Sequence, residues 1–306
     1  MSDQNPKSQT EPKADAPAQE QPKAPPAQEP KPEANALVLK NAAGQMVSLD
    51  YGEDAGAGLE LANQGGSVPF LSLLQPLSNA LKEGNDRYIP EAKAGMFCIA
   101  SQKKVFDGKK GVFFIGMAET HLVVEKTALD ASGKWVADHA PTSPIVAAAR
   151  AKGGKKSDLK TEQGHPLVET YRMYGVVYET KEDLLAMKVT PVVLSFERTK
   201  LKARQGFMDR VRMHKKGLPL YAVQLHVSSK PEKWEKGDGY GLAIKFAVDD
   251  DLLKSLILPT DPFWPKWAEE CRKVKAMVES GAIKGEAGTE VEGDAGGGDG
   301  GSDIPF

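Results

Sequence analysis

The sequence predicts a β-rich α+β fold: an OB-like curled sheet or small barrel with interposed helices, between disordered N- and C-terminal tails. About seven short segments have strand character, and Leu218–Val227 and Leu242–Val248 alternate apolar and other residues with a period of two. Two further segments carry apolar residues at helical spacing. The OB-like form is favoured because small barrels of this kind are frequent single-strand binders.

The two ends of the sequence differ in composition from the rest. Residues 1–36 contain eight prolines and, apart from Thr10, no aromatic or β-branched residue. Residues 285–306 are glycine-rich and carry six acids without a Lys or Arg. Such segments bury too little apolar surface to offset the entropy cost of ordering, so we expect two disordered tails around a globular core of residues 37–284.

The first part of the core predicts a hairpin and then a helix. Ala36–Leu39 and Met46–Leu49 flank a turn at Asn41–Gly44, which is typical of a β-hairpin. Val68–Leu81 is predicted as a helix, because Pro69 suits a first helical turn and Gly84 follows its end.

Strand patterns then dominate. The predicted strands are Met96–Ala100, Val112–Gly116, His121–Glu125, Leu167–Tyr178, Val189–Phe196 and the two period-two segments. Asp107–Gly111 is predicted as a basic hairpin loop, since Asp-Gly is a strong turn signal. Residues 139–165 are predicted as loop.

Two helices complete the core. One begins after Thr199 and turns Leu201, Phe207, Met208 and Val211 inward. The other follows Asp261-Pro262 and ends near Gly281, and its Phe263, Trp264 and Trp267 are assigned to the core or to a subunit interface, which leaves homo-oligomerisation open.

Charge is separated along the sequence. The core holds 36 Lys and Arg against 30 Asp and Glu, whereas both tails are acidic. A basic body with an acidic appendage suits a protein that binds a polyanion, although many cytosolic domains reach a similar charge without binding nucleic acid.

Several classes of protein are disfavoured. Cys98 and Cys271 are too few for a disulfide framework, no secretory or membrane-spanning segment is apparent, and a cytoplasmic protein is expected. The five histidines are dispersed, and no metal-ligand motif or phosphate-binding loop occurs, so no cofactor, metal site or enzymatic activity is expected. Asp249–Asp251 could bind Mg²⁺ as in a nuclease, but more often precedes a helix.

The most basic segment is the helix between Arg198 and Lys216. Its cations outnumber its single acid, Asp209, by seven, and could neutralise several phosphates. The alternative is a solvated helix face whose charges pair with acids elsewhere. The nucleic-acid-binding candidates in this segment are Lys200, Lys202, Arg204, Arg210, Arg212, Lys215 and Lys216.

Aromatic side chains in polar surroundings supply the second component of a single-strand binder, since stacking on bases tolerates any sequence. The candidates are Trp234 and Tyr240 in one polar loop, Trp135, and Phe106 beside Lys109 and Lys110. Each ring taken alone is more often packed against its own domain than stacked on a base.

The last four residues, Asp303, Ile304, Pro305 and Phe306, combine an aromatic ring with a terminal carboxylate. A small apolar pocket with a basic rim would bind both. This ending resembles the C-terminal tip of bacterial single-stranded DNA-binding proteins, although Gly300–Ser302 stand where several aspartates are usual. The resemblance implies that these four residues recruit replication, recombination or repair enzymes of the host or virus. The alternative is an acidic terminus without a partner.

The core resembles phage-encoded proteins of presumed single-strand-binding function, through Val68–Gln75, Tyr88–Gly95 and Leu218–Tyr221. We therefore expect a non-enzymatic protein that binds and protects single-stranded DNA without strong sequence specificity. Two alternatives remain, a strand-annealing or recombination-mediator protein and a Mg²⁺-dependent DNA-processing enzyme that uses Asp249–Asp251.

Overall fold

Strands dominate the fold in the computed structural model, which describes residues 37–40, 46–49, 67–127, 134–153, 158–213, 217–234 and 237–286. The strands are β1 Leu37–Lys40, β2 Met46–Leu49, β3 Ser67–Val68, β4 Leu71–Leu73, β5 Phe97–Ile99, β6 Lys104–Phe106, β7 Val112–Lys126, β8 Trp135–His139, β9 Leu167–Tyr178, β10 Thr190–Glu197, β11 Gln224–Trp234, β12 Gly237–Phe246 and β13 Lys284–Gly285. The helices are α1 Pro144–Ala151, α2 Lys181–Leu185, α3 Lys200–Met213 and α4 Trp264–Glu279. The predicted β-rich α+β class is confirmed.

A six-stranded antiparallel sheet forms the centre of the fold. Its strand order is β10-β9-β7-β11-β12, and β8 pairs with the C-terminal part of β7. Helix α3 packs against both β10 and β12, the two ends of this order. The sheet therefore curls around α3. Because β10 and β12 do not pair with each other in the described residues, the curled sheet is found and the closed OB-like barrel is not.

Strand β7 runs through the middle of the sheet and is longer than predicted. Residues 112–116 and 121–125 belong to one 15-residue strand, which contains an irregularity between Gly116 and Ala118. The segment between the two predicted strands is buried as well, so Gly116 does not end the strand. Gly116 pairs with Gly175 of β9, where a Cβ on Gly175 would lie 2.2 Å from the Ile115 carbonyl oxygen.

The two longer helices share the large core cluster, and α4 also joins a second, smaller cluster through Val278. Met173 and Tyr174 are neighbours on β9 and point in opposite directions, as strand geometry requires. Met173 belongs to the large cluster that contains Phe207 and Met208 of α3, whereas Tyr174 packs with Val278 of α4. Both predicted helices are thus confirmed, with their apolar faces inward.

The helix predicted over Val68–Leu81 is wrong. This segment forms β3 and β4, and only Asn79–Leu81 makes a short 3₁₀ turn. Leu71 and Leu73 pair with Ile99 and Phe97 of β5, so partners distant in sequence decide the conformation.

Two other local predictions need correction. The Asp107–Gly111 turn does not close a hairpin, because β6 pairs with β5, and the turn leads from the β4-β5-β6 sheet into β7. Residues 139–165 are not all loop, since they contain α1, capped by the Ser143 side chain, which accepts a hydrogen bond from the Val146 amide. The antiparallel pairing of β1 with β2 is confirmed, and the turn predicted at Asn41–Gly44 lies outside the described residues.

No helix in the described parts of the chain is long and apolar enough to cross a membrane. The predicted disordered leader, residues 1–36, lies outside the described residues, as do residues 287–306 of the acidic tail.

Candidate nucleic-acid interface

Lys109 and Lys110 lie on a tightly hydrogen-bonded turn. The Asp107 carboxylate accepts hydrogen bonds from the backbone amides of Lys109 and Lys110 at 2.8 and 3.0 Å. The Gly111 amide donates to the Asp107 carbonyl at 2.9 Å. The two amide donors hold the pKa of Asp107 below its usual value. The side chains of Lys109 and Lys110 are exposed to solvent.

This turn is docked on strand β11. The Ser229 amide donates to the Gly108 carbonyl at 2.8 Å, and His226 Nε2 lies 2.6 Å from the Lys110 carbonyl, which can only accept. On its other side the turn approaches Gly95. A Cβ on Gly108 would lie 1.6 Å from the Gly95 carbonyl oxygen, so only glycine fits at position 108. Residues 107–111, called the lysine turn, are thus held against the sheet by these contacts.

Strands β11 and β12 extend beyond the six-stranded sheet as a hairpin arm, residues 228–234 and 237–243. Pairing of β11 with β7 ends at Val227, whereas pairing with β12 continues to Trp234 and Gly237. Lys230 and Lys233 are exposed on the arm, and Lys230 forms an ion pair with Glu232 at 2.8 Å. The lysine turn contacts the base of the arm through Ser229.

The predicted aromatic pair lies on this arm, in strands and not in a loop. Trp234 is the last residue of β11 and packs over Gly239, where a Cβ would come within 2.1 Å of the indole. Tyr240 packs over Gly95 in the same manner. Both rings are half-buried. The packing of each ring against its own domain is therefore substantial, and only part of each ring is left for a ligand.

Trp135 is the most exposed of the predicted rings, with 45% of its surface accessible. It lies on β8, where its indole Nε1 donates to Asp138 at 2.8 Å. Trp135 pairs with Lys126, at the opposite end of β7 from the lysine turn. That separation is about 45 Å along the strand. The structure therefore does not bring Trp135 together with the arm.

Phe106 does not belong to the interface. Its side chain is 7% exposed and lies in the main core, with the Lys104 ammonium 4.7 Å from its ring centroid. Its neighbouring lysines suggested exposure, but the strand alternation of β6 turns the ring inward. The prediction that Phe106 stacks on a base is wrong.

Arg204 is also removed from the predicted basic face. It is 5% exposed and binds Glu119 of β7, with Nε donating to Oε1 at 2.6 Å and a second bond between Nη2 and Oε2. Its guanidinium lies 3.6 Å from the centroid of the Tyr171 ring. Arg204 thus connects α3 to the sheet and cannot reach a phosphate without breaking a buried ion pair.

The remaining candidate cations of this segment differ in their surroundings. Arg210 is bonded to the carboxylate and carbonyl of Asp250 at 2.9 and 2.8 Å. Lys200 is half-buried, and Lys202 and Arg212 are exposed to solvent. Lys215 and Lys216 lie outside the described residues, as do Asp303, Ile304, Pro305 and Phe306 of the predicted partner-binding tip.

The three consecutive aspartates are engaged in local structure. Asp250 binds Arg210 and the Phe246 amide, Asp251 accepts from the Leu253 amide, and Asp249 pairs with Lys254. Within the described ranges, no group of three His, Cys, Asp or Glu side chains is arranged to hold a metal ion.

Sequence reasoning missed the residues that assemble the interface. Gln75, Gly95 and Ser229 fix the arm and the lysine turn but bear no charge or exposed ring. The only signal in the sequence was glycine at positions 95 and 108, which indicates close backbone approach.

A family model described as Pam3 phage gp34-like protein matches residues 40–256, which is more than half of the chain. Neither the curated proteins nor the solved structures contain a match. The matched span includes the whole six-stranded sheet, the lysine turn and the hairpin arm. The chain therefore belongs to the Pam3 phage gp34-like protein family.

Proposed function

We propose that this protein binds single-stranded DNA through the lysine turn and the hairpin arm, without strong sequence specificity. The observation that carries the proposal is the docking of exposed Lys109 and Lys110 against an arm that presents half-buried Trp234 and Tyr240. Cations neutralise phosphates and rings stack on bases, which together suffice for binding that does not read sequence. Membership in a phage family is compatible with this role.

The rigidity of the turn favours binding. Asp107, Ser229 and His226 already fix the backbone of the turn, so a bound strand would not have to order it. Preorganised binding groups lose less entropy on association. On α3, exposed Lys202 and Arg212 would extend the electrostatic attraction over a longer strand.

We further propose that the acidic tail recruits partner proteins of replication, recombination or repair through Asp303–Phe306. The support is the sequence of this tip, in which three apolar residues follow the carboxylate of Asp303, behind the other acids of the tail. DNA binding by the folded part and partner binding by the tip are then separate activities.

The test is fluorescence anisotropy with labelled oligo-dT and a duplex of equal length over a salt series. We expect preference for the single strand and an affinity that falls steeply with salt. The K109E/K110E variant should bind at least ten-fold more weakly. The matched control K152E/K266E changes the net charge equally on α4 and beside α1, and should bind like the unaltered protein. Absence of oligo-dT binding by the unaltered protein at low salt would refute the proposal.

Deletion of residues 303–306 separates the two activities. We expect unchanged oligo-dT affinity and loss of binding to replication or repair enzymes. A collapse of DNA affinity in the shortened protein would show that the tip belongs to the DNA-binding surface.

A further inference from the structure

Four side chains form one row across four strands of the sheet. Lys245 of β12 pairs with His226 of β11, His226 pairs with Phe113 of β7, and Phe113 pairs with Tyr178 of β9. Directly paired residues of antiparallel strands point to the same face and contact one another. The row is therefore continuous, with neighbouring strands about 5 Å apart.

Three of these side chains are rings in mutual contact. Phe113 stacks on Tyr178, with ring centroids 5.4 Å apart and an angle of 18° between the planes. Phe113 meets His226 edge-on at 5.6 Å. Tyr178 is buried, and its hydroxyl donates to Gln224 at 2.8 Å, so it supports Phe113 from one side. Phe113 and His226 are only half-buried and contribute accessible ring surface.

Cations surround these rings. Lys245 is exposed at one end of the row, and exposed Lys110 lies beside His226, which bonds to the Lys110 carbonyl. Lys104, near the other end, pairs with Glu179 at 3.3 Å. Asp107 is the acid of the lysine turn, and its carboxylate already accepts two backbone hydrogen bonds.

We propose that Phe113 and His226, flanked by Lys110 and Lys245, form a base-stacking platform for a single-stranded nucleic acid. The inference rests on the proposed function and extends the interface from the arm onto the sheet. Half-exposed rings on adjacent strands are the arrangement by which sheet surfaces stack unpaired bases. Lys110 and Lys245, both beside His226, would neutralise phosphates of the same strand.

Three substitutions test the platform while preserving its support. Phe113→Leu keeps an apolar side chain but removes the ring. His226→Gln keeps a donor for the Lys110 carbonyl, and Lys245→Gln removes one exposed charge. Stacking of one base corresponds to roughly a five- to 150-fold change in affinity. We expect Phe113→Leu to weaken oligo-dT binding at least five-fold.

The other two variants give independent readouts. His226→Gln should weaken binding by a smaller factor, and Lys245→Gln should reduce the slope of log affinity against log salt by about one unit. The matched controls are Phe263→Leu, a half-buried ring at the start of α4, and Lys266→Gln, an exposed charge on α4. Both controls should leave affinity and slope unchanged. Urea unfolding verifies that each variant is folded, and exposed Lys245 tests the platform even if the Phe113 variant does not fold.

The outcomes separate this inference from the function on which it rests. If the unaltered protein binds oligo-dT and all three platform variants behave like their controls, the platform is refuted and DNA binding stands. If the unaltered protein does not bind oligo-dT, the proposed function fails, and the platform fails with it. Weakening confined to the platform variants establishes the site.

Discussion

The side-chain amide of Gln75 forms with Tyr240 both hydrogen bonds that a neighbouring strand would form. The Tyr240 amide donates to Gln75 Oε1 at 3.0 Å, and Gln75 Nε2 donates to the Tyr240 carbonyl at 2.9 Å. Pro231 lies opposite Tyr240 on β11. Because the Tyr240 backbone groups point away from β11, the missing amide hydrogen of Pro231 breaks no bond of the ladder. Gln75 therefore caps the edge of β12 at the arm.

Replacement of Gln75 by alanine should destabilise the protein. Gln75 is 6% exposed, and its loss leaves the Tyr240 backbone groups without these partners. An unsatisfied buried polar group costs about 1–3 kcal/mol. We expect a loss of this size in the free energy of unfolding, measured with urea. Gln205→Ala on the exposed face of α3 is the control and should change stability by less than about 0.5 kcal/mol. Equal stability of the two variants would show that the Gln75 cap contributes nothing.

Replacing both Glu119 and Arg204 should cost less stability than replacing Arg204 alone. Arg204→Met alone leaves a buried carboxylate and should cost about 3–5 kcal/mol. The double variant Glu119→Leu with Arg204→Met removes both charges and should recover most of that loss. A double-mutant cycle in urea measures the coupling between the two sites.

The same double variant tests the placement of Arg204. Since Arg204 is buried against Glu119 and Tyr171, removal of its charge should leave oligo-dT affinity unchanged. A folded double variant that binds oligo-dT more weakly would show that Arg204 contacts DNA.

The ion pair between Lys126 and Glu197 should make stability depend on pH. Burial alone would raise the pKa of Glu197, but attraction by Lys126, followed by Lys200 and Arg198, lowers it below the usual value. A lowered pKa in the folded state contributes stability above the unfolded value, about 4.3, and this contribution is lost as pH falls below it.

Unfolding in urea at several pH values measures this contribution. Glu197→Gln should reduce stability at pH 7 and make the decline between about pH 5 and pH 3 shallower. Glu162→Gln removes a carboxylate whose side chain is 80% exposed and should alter neither quantity. If the free energy of unfolding fell equally with pH in Glu197→Gln and in the unaltered protein, the Lys126–Glu197 pair would not be the source of this pH dependence.

Local periodicity in the sequence predicted β12, α3 and α4, whose apolar residues repeat at strand or helix spacing. Val68–Leu81 was predicted wrongly because its pairing with β5 is a contact between residues distant in sequence. β7 was divided in two because both of its faces are buried, which removes the alternation.

The candidate interface was predictable only in its charges and rings. Lys109, Lys110, Trp234 and Tyr240 stand out by type and surroundings, and the structure docks the lysine turn at the base of the arm that carries both rings. Arg204 and Phe106 stand out equally, yet both are buried. Arg204 is buried because it pairs with Glu119, which lies 85 positions away in the sequence. Phe106 is buried because its side of β6 faces the core. The residues next to Arg204 and Phe106 in the sequence do not reveal either contact.

Two glycine-to-alanine substitutions should act in opposite directions. A Cβ on Gly108 would lie 1.6 Å from the Gly95 carbonyl oxygen and 2.5 Å from Ser229 Oγ of the arm, so Gly108→Ala must displace the lysine turn. A Cβ on Gly206, within α3, meets nothing within 4 Å. Gly206→Ala should therefore stabilise the protein by up to about 1 kcal/mol, because alanine favours the helix.

Urea unfolding and oligo-dT anisotropy together distinguish the two variants. Gly108→Ala should lower both stability and DNA affinity although it removes no charge, because the positions of Lys109 and Lys110 depend on the docked turn. Gly206→Ala should raise stability and leave affinity unchanged. If Gly108→Ala lost stability but kept full affinity, DNA would bind without the docked turn, and the preorganisation argued for this interface would be wrong.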